Sequence, residues 1–70
     1  MRGGRYQRSV RQALPESARA YLDRAFAGDA LAARRLMLMA PRRLRGHIAF
    51  LAYQSKLMNP AYREIVKAVW

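Results

Sequence analysis

The stretch Pro41 to Met58, PRRLRGHIAFLAYQSKLM, decides how the chain is read. As a helix it has two apolar sides. Leu44, Ile48, Leu51 and Met58 share one side with Ser55, while Gly46, Phe50, Tyr53 and Leu57 fall on nearly the opposite side. A helix that is apolar on both sides is ordinarily packed on both. The spacing therefore predicts a central helix over 42–57, with the rest of the chain against its Leu44 side. What covers the Phe50 side is the question on which function turns.

Upstream, Ala30 to Met39 reads as a helix whose Ala32, Ala33, Leu36, Met37 and Met39 face the core together. Arg34 and Arg35 lie on the other side, where they flank Leu31 and Leu38. Two readings fit. The helix is buried all round with two arginines reaching out to water, or the leucine pair is a contact strip, apolar at its centre and basic at its edges. Ala40-Pro41 ends this helix, because the residue before proline avoids the helical region.

Further upstream, Ala18, Tyr21, Leu22, Ala25 and Phe26 follow helical spacing after Pro15, a residue at home in a first turn. Glu16 suits the positive end of the helix dipole. Arg19 and Asp23 are spaced for an i,i+4 pair, Gly28 is a natural stop, and Asp29 is placed to cap the next helix. Residues 1–13, MRGGRYQRSVRQA, read as a basic arm with Arg2, Arg5, Arg8 and Arg11 at every third position. Ser9 with Gln12 has the spacing of a capping box, so a helical turn is expected to begin there. The arm is either an element that orders on a polyanion or a solvated tail. Downstream, Asn59 is read as a cap and Pro60 as the first residue of a last helix, with Tyr62, Ile65, Val66 and Val69 as its apolar side and Trp70 at the end.

The expected fold is thus all-α. A single helical domain over 14–70 forms a compact bundle or orthogonal array of four short helices, about 15–27, 30–39, 42–57 and 60–69, behind a flexible basic arm over 1–13. Seventy residues with 53% apolar content suffice for one small core, which supplies a net stability of roughly 3–5 kcal/mol. There is no cysteine, so neither a disulfide nor a thiolate metal site is available. The basic N-terminus lacks the apolar run of a signal peptide, and the expected location is cytoplasmic.

Charge narrows the partner. Fourteen Lys+Arg against four Asp+Glu give +10, and twelve of the fourteen are arginine. Such a field concentrates polyanions, and the guanidinium fork suits phosphate and carboxylate. Arg34, Arg35, Arg42, Arg43 and Arg45 straddle the joint between the second and third predicted helices. Arg42 and Arg43 stand in a first turn, where the dipole disfavours each cation by about 0.3–1 kcal/mol. A sequence shaped only by stability would not choose that turn; an anion bound there explains it.

Catalysis is not expected. One histidine, no cysteine and four scattered acids offer no general acid–base pair, no metal-ligand spacing and no phosphate-cradling glycine loop. No cofactor is implied. The first reading is a small nucleic-acid-binding protein that contacts DNA or RNA phosphates through Arg2, Arg5, Arg8, Arg11, Arg34, Arg35, Arg42, Arg43, Arg45 and His47, although His47 also suits a half-buried position in the core border. The joint and Gly46 allow a helix-turn-helix layout, but the apolar Phe50 side does not suit a groove of base edges. Aromatics beside arginines fit unpaired bases better. The alternative is a small regulator or inhibitor that docks on an acidic protein surface, or pairs as a homodimer, through Leu31, Leu38, Phe50, Tyr53, Leu57 and Trp70. A membrane surface is disfavoured, because the apolar residues lie on opposite sides of the helix rather than on one broad face.

Overall fold

The computed structural model describes residues 2–57 and 59–69, with side chains from 6–57 and 60–69. The class is all-helical, as expected, but the described residues form five helices rather than four: α1 (Arg2–Ala13), α2 (Glu16–Phe26), α3 (Ala30–Met39), α4 (Arg42–Gln54) and α5 (Asn59–Val69). The extra helix occupies the stretch read as a flexible arm. Tyr6, Val10 and Leu14 explain it. They recur every four residues, so they form one stripe of a helix. Val10 and Leu14 are buried in the same cluster as the other helices, and Tyr6 packs at its edge. Ser9, read as a cap, is an exposed residue in the middle of α1.

Two arginine contacts fix the end of α1 on α2. Arg19 donates from Nε to the Arg11 carbonyl and from its terminal nitrogen to that of Gln12, each at 3.1 Å. Those carbonyls belong to the last turn of α1, whose dipole favours a cation; the Arg11 carbonyl also accepts from the Leu14 N–H at 3.2 Å. Asp23, expected to pair with Arg19, is gripped instead by both nitrogens of the Arg11 fork, at 3.3 and 2.9 Å. A bidentate pair across two helices has better geometry than a single-point i,i+4 contact.

The core is built from Leu22, Leu36, Ile48 and Ile65 as the largest fully buried side chains, with alanines at 18, 25, 32, 33, 40, 52 and 61 between them. Alanine at these crossings lets short helices approach closely. No polar side chain is buried among the described residues. α3 packs on α2 and α5, α5 also packs on α4, and α1 bridges α4 and α2. The helix read as central is therefore α4, but α3 and α5 hold that place. The described residues extend 25 × 23 × 21 Å, nearly equal in all directions, so α1 does not project.

The helix boundaries follow from local chemistry. Asp29 accepts from the Ala32 N–H at 3.1 Å and so caps α3 as read. Gly28 takes φ 107 after α2. The helix expected to reach 57 ends at Gln54. Lys56 turns left-handed at φ 51, and the Leu57 and Lys56 N–H groups bond back to the carbonyls of Ala52 and Tyr53 at 3.1 and 3.2 Å. This is a Schellman closure with lysine where glycine is usual. Leu57, released from the helix, packs half-buried against the core. On the inner side of α4, Leu44, Ile48 and Leu51 are buried as expected, joined by Ala52. Met39, expected in the core, is exposed on α3. Ile65 is buried on α5, with Ala61 beside it, while Tyr62, Val66 and Val69 are half-buried. The core assignment of Met58 and the capping side chain of Asn59 lie outside the described residues.

Candidate functional site

The candidate residues separate into two outward-facing strips. The first runs along α4. Helical geometry sets Arg42, Arg43, Gly46, Phe50 and Tyr53 on the side opposite Leu44, Ile48, Leu51 and Ala52. The arginines are exposed, Phe50 is 50% exposed and Tyr53 69% exposed. A Cβ added to Gly46 would meet nothing within 4 Å. The middle of the strip is thus open floor between two cations and two aromatic rings.

α1 covers one margin of this strip. The Tyr6 hydroxyl is hydrogen-bonded to Nδ1 of His47. Its ring stands edge-on to the imidazole at 5.8 Å and to Phe50 at 6.0 Å, with interplanar angles of 74° and 64°. Edge-to-face contacts of this kind favour aromatic pairs, so Phe50 is held from the side while half its surface stays open. His47 is exposed and engaged with Tyr6, rather than half-buried in the core border. At the far end of the strip, Tyr53 lines an apolar groove with Ala52, Leu57 and Tyr62, and Lys56 stands at its edge.

The second strip is on α3. Leu31 is 58% exposed and Leu38 73% exposed, with Arg34 on one flank and Arg35 on the other. Arg34 and Leu38 also line a groove shared with Arg45 of α4 and with Glu64 and Lys67 of α5. Arg45 is half-buried there, and its Nε is enclosed without a hydrogen-bond partner. The cluster of five arginines read across the α3–α4 joint is therefore divided: Arg34 and Arg45 share the groove, Arg35 flanks the leucines, and Arg42 and Arg43 begin the α4 strip.

Three of the four acids are bonded to cations outside these strips' arginines. Asp23 is bonded to Arg11, Asp29 to Arg24 at 3.2 Å, and Glu64 to Lys67 at 3.2 Å. The Arg11 hydrogen bonds and charge hold the Asp23 carboxyl below the usual aspartate range. Asp29 is also lowered, chiefly by the Ala32 N–H that it caps and then by Arg24. Arg11 is correspondingly raised by Asp23. Among the described residues, no ion pair engages Arg34, Arg35, Arg42 or Arg43.

Of the remaining predicted contacts, Arg8 is exposed on α1 and Arg11 is occupied by Asp23. Leu57 is packed on the core rather than displayed on α4. The side chains of Arg2 and Arg5, and Trp70 as a whole, lie outside the described residues. Tyr6 is the site residue that the sequence reading missed. Its signal was the four-residue spacing to Val10 and Leu14, overshadowed by the arginines at every third position.

Among the described residues, no helix is long and apolar enough to cross a membrane, and no three side chains of the metal-ligating types come together. Comparison with protein-family models, curated proteins and solved structures finds no match for the chain.

Proposed function

We propose that the chain is a small basic nucleic-acid-binding protein whose phosphate contacts centre on the arginines around the α3–α4 joint. One observation carries the reading. Arg34, Arg35, Arg42 and Arg43 are exposed and free of ion pairs among the described residues, while Asp23, Asp29 and Glu64 are bonded to other cations. Unneutralised arginines grouped on a chain of net charge +10 form the electrostatic footprint that phosphates answer. Arg8 adds a further exposed cation from α1, whereas Arg11 contributes less because Asp23 neutralises it.

The test is binding of labelled oligonucleotides at physiological salt with heparin as competitor. Affinity should persist over heparin and fall as salt rises. The Arg42→Ala/Arg43→Ala variant should reduce the slope of log affinity against log salt by about two, one for each phosphate contact. Loss of all binding in the presence of heparin would reduce the charge to a nonspecific field.

A second reading rests on the α3 strip. Two exposed leucines flanked by arginines suit an acidic protein surface with an apolar centre, and on this reading the chain regulates or inhibits that protein. Leu38→Asp should then abolish capture of a partner from nuclease-treated lysate without changing helicity. Capture that depends on intact nucleic acid returns the α3 strip to the first reading.

A further inference from the structure

We infer that the outward strip of α4 is a platform for single-stranded nucleic acid, on which unpaired bases stack against Phe50 and Tyr53 while Arg42, Arg43 and Lys56 hold phosphates at the two ends. The inference rests on the nucleic-acid reading and specifies the strand form it takes. Four features of the strip point the same way.

The cations bracket the aromatics. Arg42 and Arg43 open the helix and Lys56 follows its end, so charge frames Phe50 and Tyr53 over about 20 Å at the helical rise. A strand laid along this line meets a cation, then rings, then a cation, the alternation that suits a phosphate backbone with bases turned inward.

The aromatics are presented rather than buried. Tyr53 is 69% exposed and Phe50 50% exposed, and Tyr6 props Phe50 from one side. A ring supported in this way gives up little side-chain freedom when a base stacks on it. Tyr53 also opens into the groove formed with Leu57 and Tyr62, which gives a stacked base an apolar wall.

The floor between the two ends is clear. Apart from its own helix backbone and chain neighbours, nothing lies within 4 Å of the place a Cβ on Gly46 would occupy. A sugar-phosphate chain that passes from Arg42 toward Phe50 crosses this position without obstruction.

The strip also fits a duplex poorly. Groove recognition needs polar side chains along the inserted face to meet base-edge donors and acceptors. Beyond Arg43, the exposed residues of α4 are Gly46, His47, Phe50, Tyr53 and Gln54; His47 is engaged by Tyr6, which leaves Gln54 and the Tyr53 hydroxyl to read a base edge. Paired bases already stack on one another and present no free face to Phe50 or Tyr53.

The experiment measures fluorescence anisotropy at physiological salt with heparin present. The probes are polypyrimidine strands of about twelve nucleotides, a length within the span that such platforms cover, as DNA, as RNA, and as the matching duplexes. The single strands should bind at least tenfold tighter than the duplexes, and the DNA and RNA arms show which sugar is preferred. Tyr53→Leu and Phe50→Leu keep apolar bulk while removing the π face. Each should weaken single-strand binding about tenfold and leave duplex binding and helicity unchanged. Phe50 touches Tyr6, so Tyr53→Leu is the decisive variant if Phe50→Leu loosens α1.

Equal affinity for strand and duplex, or leucine variants that bind as well as the parent, would overturn the platform while the nucleic-acid reading stands. Absence of binding to every probe over heparin would remove both. A stable dimer by light scattering that Tyr53→Asp dissociates would assign the strip to a second copy of the chain and overturn the platform.

Discussion

α2 and α4 are built on the same frame with opposite choices of residue. Each follows a proline with nearly the same backbone, φ −57 and ψ 150 at Pro15, φ −57 and ψ 145 at Pro41, and neither has a side-chain cap. Each ends in the same closure. After α2, Asp29 and Gly28 bond back to Arg24 and Ala25 at 3.1 and 3.0 Å; after α4, Leu57 and Lys56 bond back to Ala52 and Tyr53. Within this frame α2 places Glu16 in its first turn and Gly28 at the left-handed exit, as stability favours. α4 places Arg42 and Arg43 in the first turn, Gly46 in the interior and Lys56 at the exit. Against α2's choices, the arginines cost about 0.3–1 kcal/mol each, the glycine about 1 kcal/mol and the left-handed lysine about 1–2 kcal/mol. For a domain with roughly 3–5 kcal/mol to spare, these choices are a large cost, and the nucleic-acid binding proposed above gives them a reason. On that reading α2 is scaffold, and α4 is scaffold on one side alone.

That contrast breaks most visibly in the core. Leu22 and Ile48 are both fully buried, so Leu22→Ala in α2 and Ile48→Ala in α4 should each cost about 2–5 kcal/mol. Either loss equals most of the available stability, and urea titration should show largely unfolded protein in both cases. Tyr53→Ala, on the outer side of α4, should stay within about 0.5 kcal/mol of the parent. A Tyr53→Ala protein as unstable as Ile48→Ala would erase the distinction between the two sides of α4.

Charge exchange at the two matched helix starts gives the next largest effect. Arg42→Glu with Arg43→Glu should stabilise the fold by about 1–2 kcal/mol, because two disfavoured cations become favoured anions. On the proposed function, the same variant should also lose nucleic-acid binding. Glu16→Arg in α2 is the mirror test and should destabilise by about 0.3–1 kcal/mol. The stability of the α4 variant and its binding must move in opposite directions. If Arg42→Glu with Arg43→Glu destabilises instead, the arginines are held by contacts within the fold and the start of α4 is no functional exception.

A smaller gain is expected at the exit. Lys56→Gly relieves a left-handed backbone that glycine adopts freely. Allowing for the extra freedom glycine has in the unfolded chain, the net gain should be about 0.5–1 kcal/mol. Gly28→Ala, at the corresponding turn of α2, should lose about the same amount. Thermal unfolding of the two variants reads both signs in one experiment.

The same features show where the sequence was readable. α2 and α3 were legible to within a residue or two because each boundary carried its own chemical mark: Pro15, Gly28, Asp29 and Pro41. The end of α4 carried none. The Schellman closure at Lys56 uses hydrogen bonds and the burial of Leu57, and a lysine does not announce a left-handed turn. Helical spacing alone therefore places Leu57 on the outer face, although it packs on the core. α1 was hidden for another reason. Two glycines lower the intrinsic tendency of Arg2–Ala13 to form a helix, and arginines at every third position repel one another along it. The segment is held by contacts far along the chain, Val10 and Leu14 with the core, Arg11 with Asp23 and Tyr6 with His47, which local propensity does not register. The division of the arginine cluster also depends on tertiary geometry. Leu31 and Leu38 between Arg34 and Arg35 could be drawn from helical spacing, but the sharing of one groove by Arg34 and Arg45 arises from the way α5 packs.

Acid should loosen the α2 side of the molecule, though gently. α4 contains no carboxyl group, whereas Asp23 ties α1 to α2 and Asp29 joins the end of α2 to the start of α3. Both aspartates have folded-state values below the usual one. A carboxyl lowered on folding contributes stability above its unfolded value, and that contribution is lost as the pH falls through the folded value. The loss should therefore begin below about pH 4 and deepen with further acid. It should be shallow, because the Asp23 side chain is more than half exposed and water screens its pair with Arg11. Chemical denaturation at a series of pH values should show this slope in the parent and a flatter one in Asp23→Asn/Asp29→Asn, since asparagine still caps α3 but no longer titrates. A double variant as acid-sensitive as the parent would overturn this assignment. Asp23 and Asp29 would then no longer account for the acid response of the α2 side.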